Sequence, residues 1–285
     1  MRNKKKFACL ILTHGRPDRV YTYNLLRNCG YTGRIYFVID NEDATADEYI
    51  AKFGKENVIM FDKLAISLTF DTADTQNDRR AIVYARNASY GIAKDLGLDY
   101  FLQLDDDYHA FRFRFIDGDT LGQKQVKDLN KIFDAMLNFL EDTNAESVAF
   151  AQGGDLIGGI GSNAVNKVLL RKAMNSWFLR TDRPVNFLGR INEDVNAYVL
   201  GGIRGQVFLT TYLVMLDQTQ TQSNAGGMTE LYKESGTYLK SMYTVMMAPS
   251  CVSIQSMGPS NPRLHHRIKS NFAAPKIINE RYVKQ

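Results

Sequence analysis

Three consecutive carboxylates, Asp105, Asp106 and Asp107, directly follow the apolar run YFLQL at 100–104. Like charges at adjacent positions repel, so a folded chain keeps such a triplet where something positive meets it. Alternate side chains of an extended segment point the same way, which puts Asp105 and Asp107 on one side, roughly 6–7 Å apart. Hard carboxylate oxygens suit Mg2+ or Mn2+, and such ions take one or two protein carboxylates together with substrate phosphates. A divalent ion bridging a diphosphate is therefore the chemistry implied. The competing reading is a solvated acidic turn. A second acidic pair, Glu193 and Asp194, stands in "GRINEDVNAYVL" at the start of a predicted helix. Carboxylates there cap the backbone and meet the helix dipole favourably. One held above a bound donor can also take the proton of an acceptor hydroxyl. Of the histidines His14, His109, His265 and His266, the adjacent pair cannot both face inward if its segment is extended.

These groups need elements to position them. "KKFACLIL" reads as a strand buried on both faces, and "THGRP" turns the chain so that Pro17 opens a helix ending near Gly30. "GRIYFVID", "ATADEYIAKFG" and "NVIMF" continue as strand, helix and strand, the rhythm of a mostly parallel α/β sheet. Between Asp78 and Leu96, apolar residues recur at helical spacing (Ile82, Ala85, Ala88, Ile92 and Leu96) and lead into YFLQL. "THGR", Asp40 and the triplet all fall at carboxyl ends of predicted strands, where open parallel sheets bind ligands. The second half opens with a helix that is apolar at Val126, Leu129, Phe133, Met136, Leu137 and Leu140. The strand "SVAFAQ", the glycine-rich "GGDLIGGIGSN", a helix around "EDVNAYVLGG", the strand "QVFLTTYLVML" and the loop "DQTQTQSNAGG" follow. A long helical stretch then leads to the strand "PSCVSIQSM". "FRFRF" at 111–115 reads as an edge strand with Phe111, Phe113 and Phe115 in the core and Arg112 and Arg114 in solvent. Base stacking is its competing role. No repeat or Pro/Ser-rich linker interrupts the chain. We expect one two-lobed domain, with residues 1–107 holding nucleotide and 108–285 holding acceptor.

The 285 residues suffice for a large α/β domain, and 45% hydrophobic with 23% charged residues is ordinary globular composition. No stretch approaches the ~18 consecutive apolar residues of a membrane span. The apolar run Phe7 to Leu12 is shorter than the roughly 7–15 residues of a signal-peptide core. Cys9, Cys29 and Cys251 form no CxxC and at least one stays unpaired, as expected in a reducing cytoplasm. Net charge is +4, concentrated late: Arg263, Arg267, Lys269, Lys276, Arg281 and Lys284 stand against Glu280 alone. The basic segment 258–285 is either a solvated tail or a contact for a polyanion.

"ILTHGRP", "RRAIVYARNASYGIAKDLGLDYFLQLDDD" and "NEDVNAY" together resemble successive landmarks of GT-A glycosyltransferases. The inverting type, with a DxD motif and a later Glu-Asp pair, is nearest. The likeness is strong over 7–107, continues to about 200 and thins beyond. It implies an α/β, GT-A (Rossmann-like) fold with a mostly parallel central sheet flanked by helices. It also implies a nucleotide-sugar donor, a UDP-sugar first, with Mn2+ or Mg2+. By the same resemblance Thr13, His14, Arg16 and Asp40 surround the nucleobase, and Asp105 and Asp106 touch ribose or nucleotide. Asp107 would bind the metal with His265 completing its shell, and Asp194 would be the base. Glu193 would contact acceptor or sugar, and Arg79 or Arg86 the donor diphosphate. More narrowly, "LILTHGRPDRVYTYNLL" and "RLHHRIKSNFAAPKIINERY" resemble the TET-associated glycosyltransferases of bacteriophages. That implies sugar transfer to 5-hydroxymethylpyrimidines in phage DNA, in the cytoplasm of an infected host and with no membrane partner. The base would be swung out or reached through the major groove. A small-molecule or glycan acceptor fits the core motifs equally well. A nucleotidyltransferase is disfavoured because "THGRPDR" has a single glycine where a phosphate cradle needs several. A metal-dependent nuclease can use clustered carboxylates but does not predict the strands before them. A catalytically dead DNA-binding module has no use for both acidic motifs.

Overall fold

A computed structural model of the chain describes residues 5–74, 78–152, 159–161, 176–218, 228–257, 263–273 and 277–282. Strand β1 (Phe7–Leu12) buries Ala8, Leu10 and Leu12 in one apolar cluster and Cys9 and Ile11 in another. Its unbroken apolar run is thus the period of a strand covered on both faces. Helices α1 (Tyr21–Asn28), α2 (Ala46–Phe53) and α5 (Leu129–Thr143) pack on one face. The other face is covered by α4 (Val83–Asp95) and α6 (Glu193–Ile203). A short α3 (Lys63–Ser67) follows β3.

The nine-stranded sheet has the order β3-β2-β1-β4-β8-β7-β9-β5-β6. Its strands are β2 (Arg34–Asp40), β3 (Val58–Phe61), β4 (Tyr100–Asp105), β5 (Tyr108–Asp117), β6 (Thr120–Gln125), β7 (Ser147–Gln152), β8 (Ser176–Arg180) and β9 (Phe208–Gln218) with β1. β8 and β5 run against their neighbours, and the other strands share one direction. The mostly parallel α/β sheet is therefore as expected. From β1 the chain winds outward through β2 and β3, then crosses back to β4 on the other side. The crevice of such a sheet opens where that order reverses. Long α7 (Met228–Met247) leads to a separate antiparallel pair, β10 (Val252–Met257) and β11 (Arg263–Ile268), followed by α8 (Ser270–Ala273).

Strands β6, β8 and β11 have no counterpart in the sequence reading. β6 is a polar edge strand held by β5 alone, so it carries no apolar period. The reading of "FRFRF" also needs correction. Phe111 is buried, but Phe113 is 39% and Phe115 44% exposed, while Arg114 is buried with its Nε 2.8 Å from Met215 Sδ. A bulge between Tyr108 and Ala110 shifts the register on β9, and beyond Phe113 the strand pairs with β6 only. Aromatic side chains there have lost the covering layer.

The C-terminal turn Glu280–Tyr282 docks on the core. Arg281 Nη2 lies 3.0 Å from Oε2 of the fully buried Glu146, which also accepts from the Tyr282 hydroxyl. Gly205 permits this approach: it has φ +84, and a Cβ there would stand 2.9 Å from the Ile277 carbonyl oxygen. Among the described residues no helix is long and apolar enough to cross a membrane. All three cysteines are buried free thiols. Most of "GGDLIGGIGSN" and of "DQTQTQSNAGG", together with Lys276 and Lys284, lies outside the described residues.

Candidate active site

Leu12 pairs with Asp105 across β1 and β4, so the loop after β1 and the aspartate triplet share one rim. The positive charge that the triplet demands comes partly from the chain itself. Asp106 is fully buried and accepts from Arg16 Nε at 2.8 Å and Thr13 Oγ1 at 2.6 Å. Tyr49 extends this chain, its hydroxyl 2.8 Å from Thr13 Oγ1 and accepting from the Arg16 amide at 3.0 Å. Asp105 Oδ1 is 3.1 Å from Arg86 Nη2. Asp107 bonds Gln218 at the end of β9, and its carboxyl is pushed up to about 7 by burial and then by Asp105 and Asp106. Thr22 of α1 holds the backbone of the turn. It donates from Oγ1 to the Asp105 carbonyl at 2.6 Å and accepts from the Tyr108 amide at 3.0 Å, while its amide meets the Asp106 carbonyl at 3.1 Å.

Arg86 reaches the second acidic motif as well. Its Nε is 2.9 Å from Glu193 Oε1, and Glu193 is 7% exposed. Burial and the neighbouring Asp194 push Glu193 up to about 7, against the opposing charge of Arg86. By resemblance Glu193 is expected against acceptor or sugar and Arg79 or Arg86 against the donor diphosphate; Arg86, 2% exposed, stands buried between the two acidic motifs. Asp194 is partly exposed and accepts from the Val195 amide at 2.7 Å. It lies near enough to Asp105 to raise that carboxyl, after burial and against Arg86. Before the pair, Asn192 adopts φ +57 and donates from Nδ2 to the Lys240 carbonyl at 2.7 Å. That same Nδ2 is 3.4 Å from Nδ1 of His266. As strand alternation required, only one of the late histidines faces in: His266 is 8% exposed, whereas His265 is partly buried opposite Gln255.

On the β2 side, Asp40 accepts from His14 Nδ1 at 2.8 Å and Lys63 Nζ at 3.2 Å. Burial works against its charge, but His14 and Lys63 hold its carboxyl below the usual range. Gly15, at φ +68, turns its amide onto Asp43 Oδ2 at 2.8 Å. Arg79 bonds Glu42 Oε1 at 2.9 Å on the same rim. Fully buried Arg190 joins Asp74, Asp78 and the Tyr243 hydroxyl, tying the loop before α4 to the segment before Glu193. The sequence reading missed Thr22, Asp43, Tyr49, Lys63 and Arg190. Lys63 stood within reach of the strand-end rule, two residues past β3. Thr22 and Tyr49 sit on buried helix faces, where nothing local marks them.

A divalent cation suits this donor set. Among the described residues no group of three or more His, Cys, Asp or Glu side chains is arranged to hold a metal. Asp106 Oδ1 is buried with no hydrogen-bond partner among the described residues, beside Asp107, one of the two expected ligands; His265, the other, is partly buried on β11. In the metal-free protein these carboxyls set a pH dependence. Asp107 and Glu193, at about 7, keep a proton over a range where unfolded carboxyls, near ~4, have lost it. The folded state then binds more protons, so stability falls as pH rises from about 4 to about 7 and levels off above. Asp78, held at about 2 by Arg80, acts below that window. The expected result is a melting midpoint that drops across the window, less steeply in Asp107→Asn. Equal slopes for parent and variant would mean that this carboxyl ionises normally.

A cavity of about 300 Å3 lies at the amino end of β2, lined by Tyr23, Arg27, Arg34 and Phe53 among others. It is remote from these carboxylates, at the opposite end of the strand that carries Asp40.

No curated protein matches the chain in sequence. In structure it is similar to glucosyl-3-phosphoglycerate synthase from Mycobacterium tuberculosis in complex with Mn2+, UDP and phosphoglyceric acid. There the identity is 10% and the TM-score 0.49, covering 93% of this chain and 87% of that one. It is also similar to the mannosyltransferase PcManGT from Pyrobaculum calidifontis in complex with GDP-Man and Mn2+ (11% identity, TM-score 0.46, 76% and 57% covered). A third similar structure is S. aureus TarS (12%, 0.46, 75% and 36%). The sequence profile of the family described as TET-Associated Glycosyltransferase matches residues 7–227, from β1 past β9 and through both acidic motifs. By that match the chain belongs to the TET-associated glycosyltransferase family.

Proposed function

We propose that this glycosyltransferase moves a sugar from a nucleotide-sugar to the hydroxymethyl group of a modified pyrimidine in DNA, with inversion at the anomeric carbon. The observation that carries the reading is the pair of acidic motifs flanking one buried arginine, with Asp107 beyond Asp105 and Asp194 beyond Glu193. Thr13, His14, Arg16 and Asp40, at the ends of β1 and β2, receive the nucleotide. Asp107 and Asp106 would hold a divalent cation, which when bound supplies positive charge to the departing diphosphate. Asp194 takes the proton of the acceptor hydroxyl as its oxygen bonds the anomeric carbon. The bond from that carbon to the diphosphate oxygen breaks on the opposite face, and the nucleoside diphosphate leaves with the electron pair. One carboxylate thus serves the leaving group and another the nucleophile.

The family's name supports a DNA acceptor, and so does the basic segment that begins at β11. Strand β11, whose His266 reaches Asn192, carries exposed Arg267 and is followed by exposed Lys269. Arg281 spends its Nη2 on Glu146 and leaves its side chain 46% exposed. Incubating the protein with Mn2+, a panel of nucleotide-sugars and DNA containing 5-hydroxymethylcytosine or 5-hydroxymethyluracil, then weighing the nucleosides, tests the reading. A hexose added to the modified base is the expected outcome. Turnover confined to a free glycan or small molecule would replace DNA with the other acceptor class. Binding gives a second check. Replacing Arg267 and Lys269 with alanine is expected to lower the slope of log affinity against log salt by about 0.9 for each phosphate no longer neutralised. An unchanged slope with unchanged affinity would make this strand a solvated one.

A further inference from the structure

We infer that Arg86 is a positioning residue, a buried strut that sets the spacing between the triplet on β4 and the Glu-Asp pair on α6. This rests on the transfer reading above. The arginine is 2% exposed and uses two different nitrogens for two different elements, Nη2 for Asp105 at 3.1 Å and Nε for Glu193 at 2.9 Å. A guanidinium is planar, so bonds from Nε and Nη2 fix the angle as well as the distance between their partners. The strut is itself anchored. The Arg86 carbonyl accepts from Gln103 Nε2 at 2.9 Å, tying α4 to β4. The next residue, Asn87, donates from Nδ2 to the Phe187 carbonyl at 2.9 Å, and the guanidinium carbon lies 5.8 Å from the Phe187 ring centre. Asp107 and Asp194 each adjoin or closely follow a group that Arg86 holds. A shift at Arg86 therefore moves one carboxylate relative to the other.

This arrangement also settles which charges neighbour which. Without Arg86, half-buried Asp105 and buried Glu193 would lose their paired guanidinium, and each would favour its neutral form. Removing one partner of a buried ion pair is strongly destabilising because the other is left uncompensated. The third nitrogen, Nη1, is buried with no hydrogen-bond partner among the described residues. A ligand bound at that nitrogen would make Arg86 part of the donor site, and the test separates the two roles.

The first arm needs no substrate. Asp105→Asn and Glu193→Gln should each change the melting midpoint less favourably in the parent, where Arg86 loses a partner, than in an Arg86→Met background, where no guanidinium is left to pair. If Arg86→Met does not fold, Arg86→Met/Asp105→Asn/Glu193→Gln should recover the fold, and failure of the triple variant to do so would overturn the inference. The second arm uses Mn2+ and UDP as probes. Arg86→Lys, whose point charge cannot bridge at a fixed angle, should bind Mn2+–UDP within about threefold of the parent, while kcat for transfer falls about 100-fold, the cost of a misplacement near 1 Å. A tenfold loss of Mn2+–UDP affinity with kcat retained would make Arg86 a diphosphate ligand. Equal midpoint changes in both backgrounds would break the strut outright. A parent that does not bind Mn2+–UDP speaks against the donor chosen, and the midpoint arm then decides Arg86 alone.

Discussion

Asp194→Asn is expected to bind nucleotide-sugar as the parent does and to lose transfer by about 10²–10⁴-fold, the usual contribution of a positioned general base. An acceptor hydroxyl is a poor nucleophile at neutral pH, so the step needs a group to take its proton as the new bond forms. Asp194 is partly exposed in the first turn of α6, on an element fixed from several sides. Asn192 is tied to Lys240 and Thr244 of α7, and Asn196 to the Leu188 carbonyl. Asparagine keeps the size of the side chain and an oxygen for the Val195 amide, which leaves fold and donor site in place. It removes only the capacity to hold the proton. The product should carry the anomeric configuration opposite to the donor's. A retained configuration would exclude direct displacement, and normal turnover by Asp194→Asn would leave this residue as a helix cap.

Asp107→Asn should abolish metal-stimulated transfer and weaken binding of Mn2+–nucleotide while the protein stays folded. Its carboxyl is pushed up to about 7 by burial and by Asp105 and Asp106, so in the metal-free protein its charge is a burden. A bound cation reverses that preference, because it favours the ionised form. The variant should therefore match or exceed the parent's melting midpoint without metal, and gain less from adding Mn2+. A parent equally active in chelator, or a variant with full Mn2+ dependence, would take the metal away from Asp107.

Much of this architecture was legible in the sequence. Short continuous apolar runs, ended by polar residues and glycines, marked β1, β2, β3, β4 and β7. That alone set Thr13, Asp40 and the triplet at the same edge of a parallel sheet, because every strand of such a sheet delivers its carboxyl end to one side. Alternation along an extended segment likewise required one of His265 and His266 to face outward. What it left open was which one. Pairing of β11 with β10 and packing against α7 turned His266 in.

Charge pairing was beyond the sequence. Arg86 stands 19 residues from Asp105 and 107 from Glu193, and no local period couples such positions. They meet because the crossover from β3 to β4, which sets β4 beside β1, and the packing of α4 and α6 on one sheet face bring them together. The same holds for "FRFRF", whose alternation is visible but whose inward face depends on a bulge and on where its pairing with β9 ends. Period reports which residues share a side of their own element. Which side is covered, and which charge meets which, depends on neighbours distant in the chain. The triplet shows both: a need for positive charge was readable at Asp105, Asp106 and Asp107, but only the folded chain assigned Arg86 to the first and Arg16 to the second.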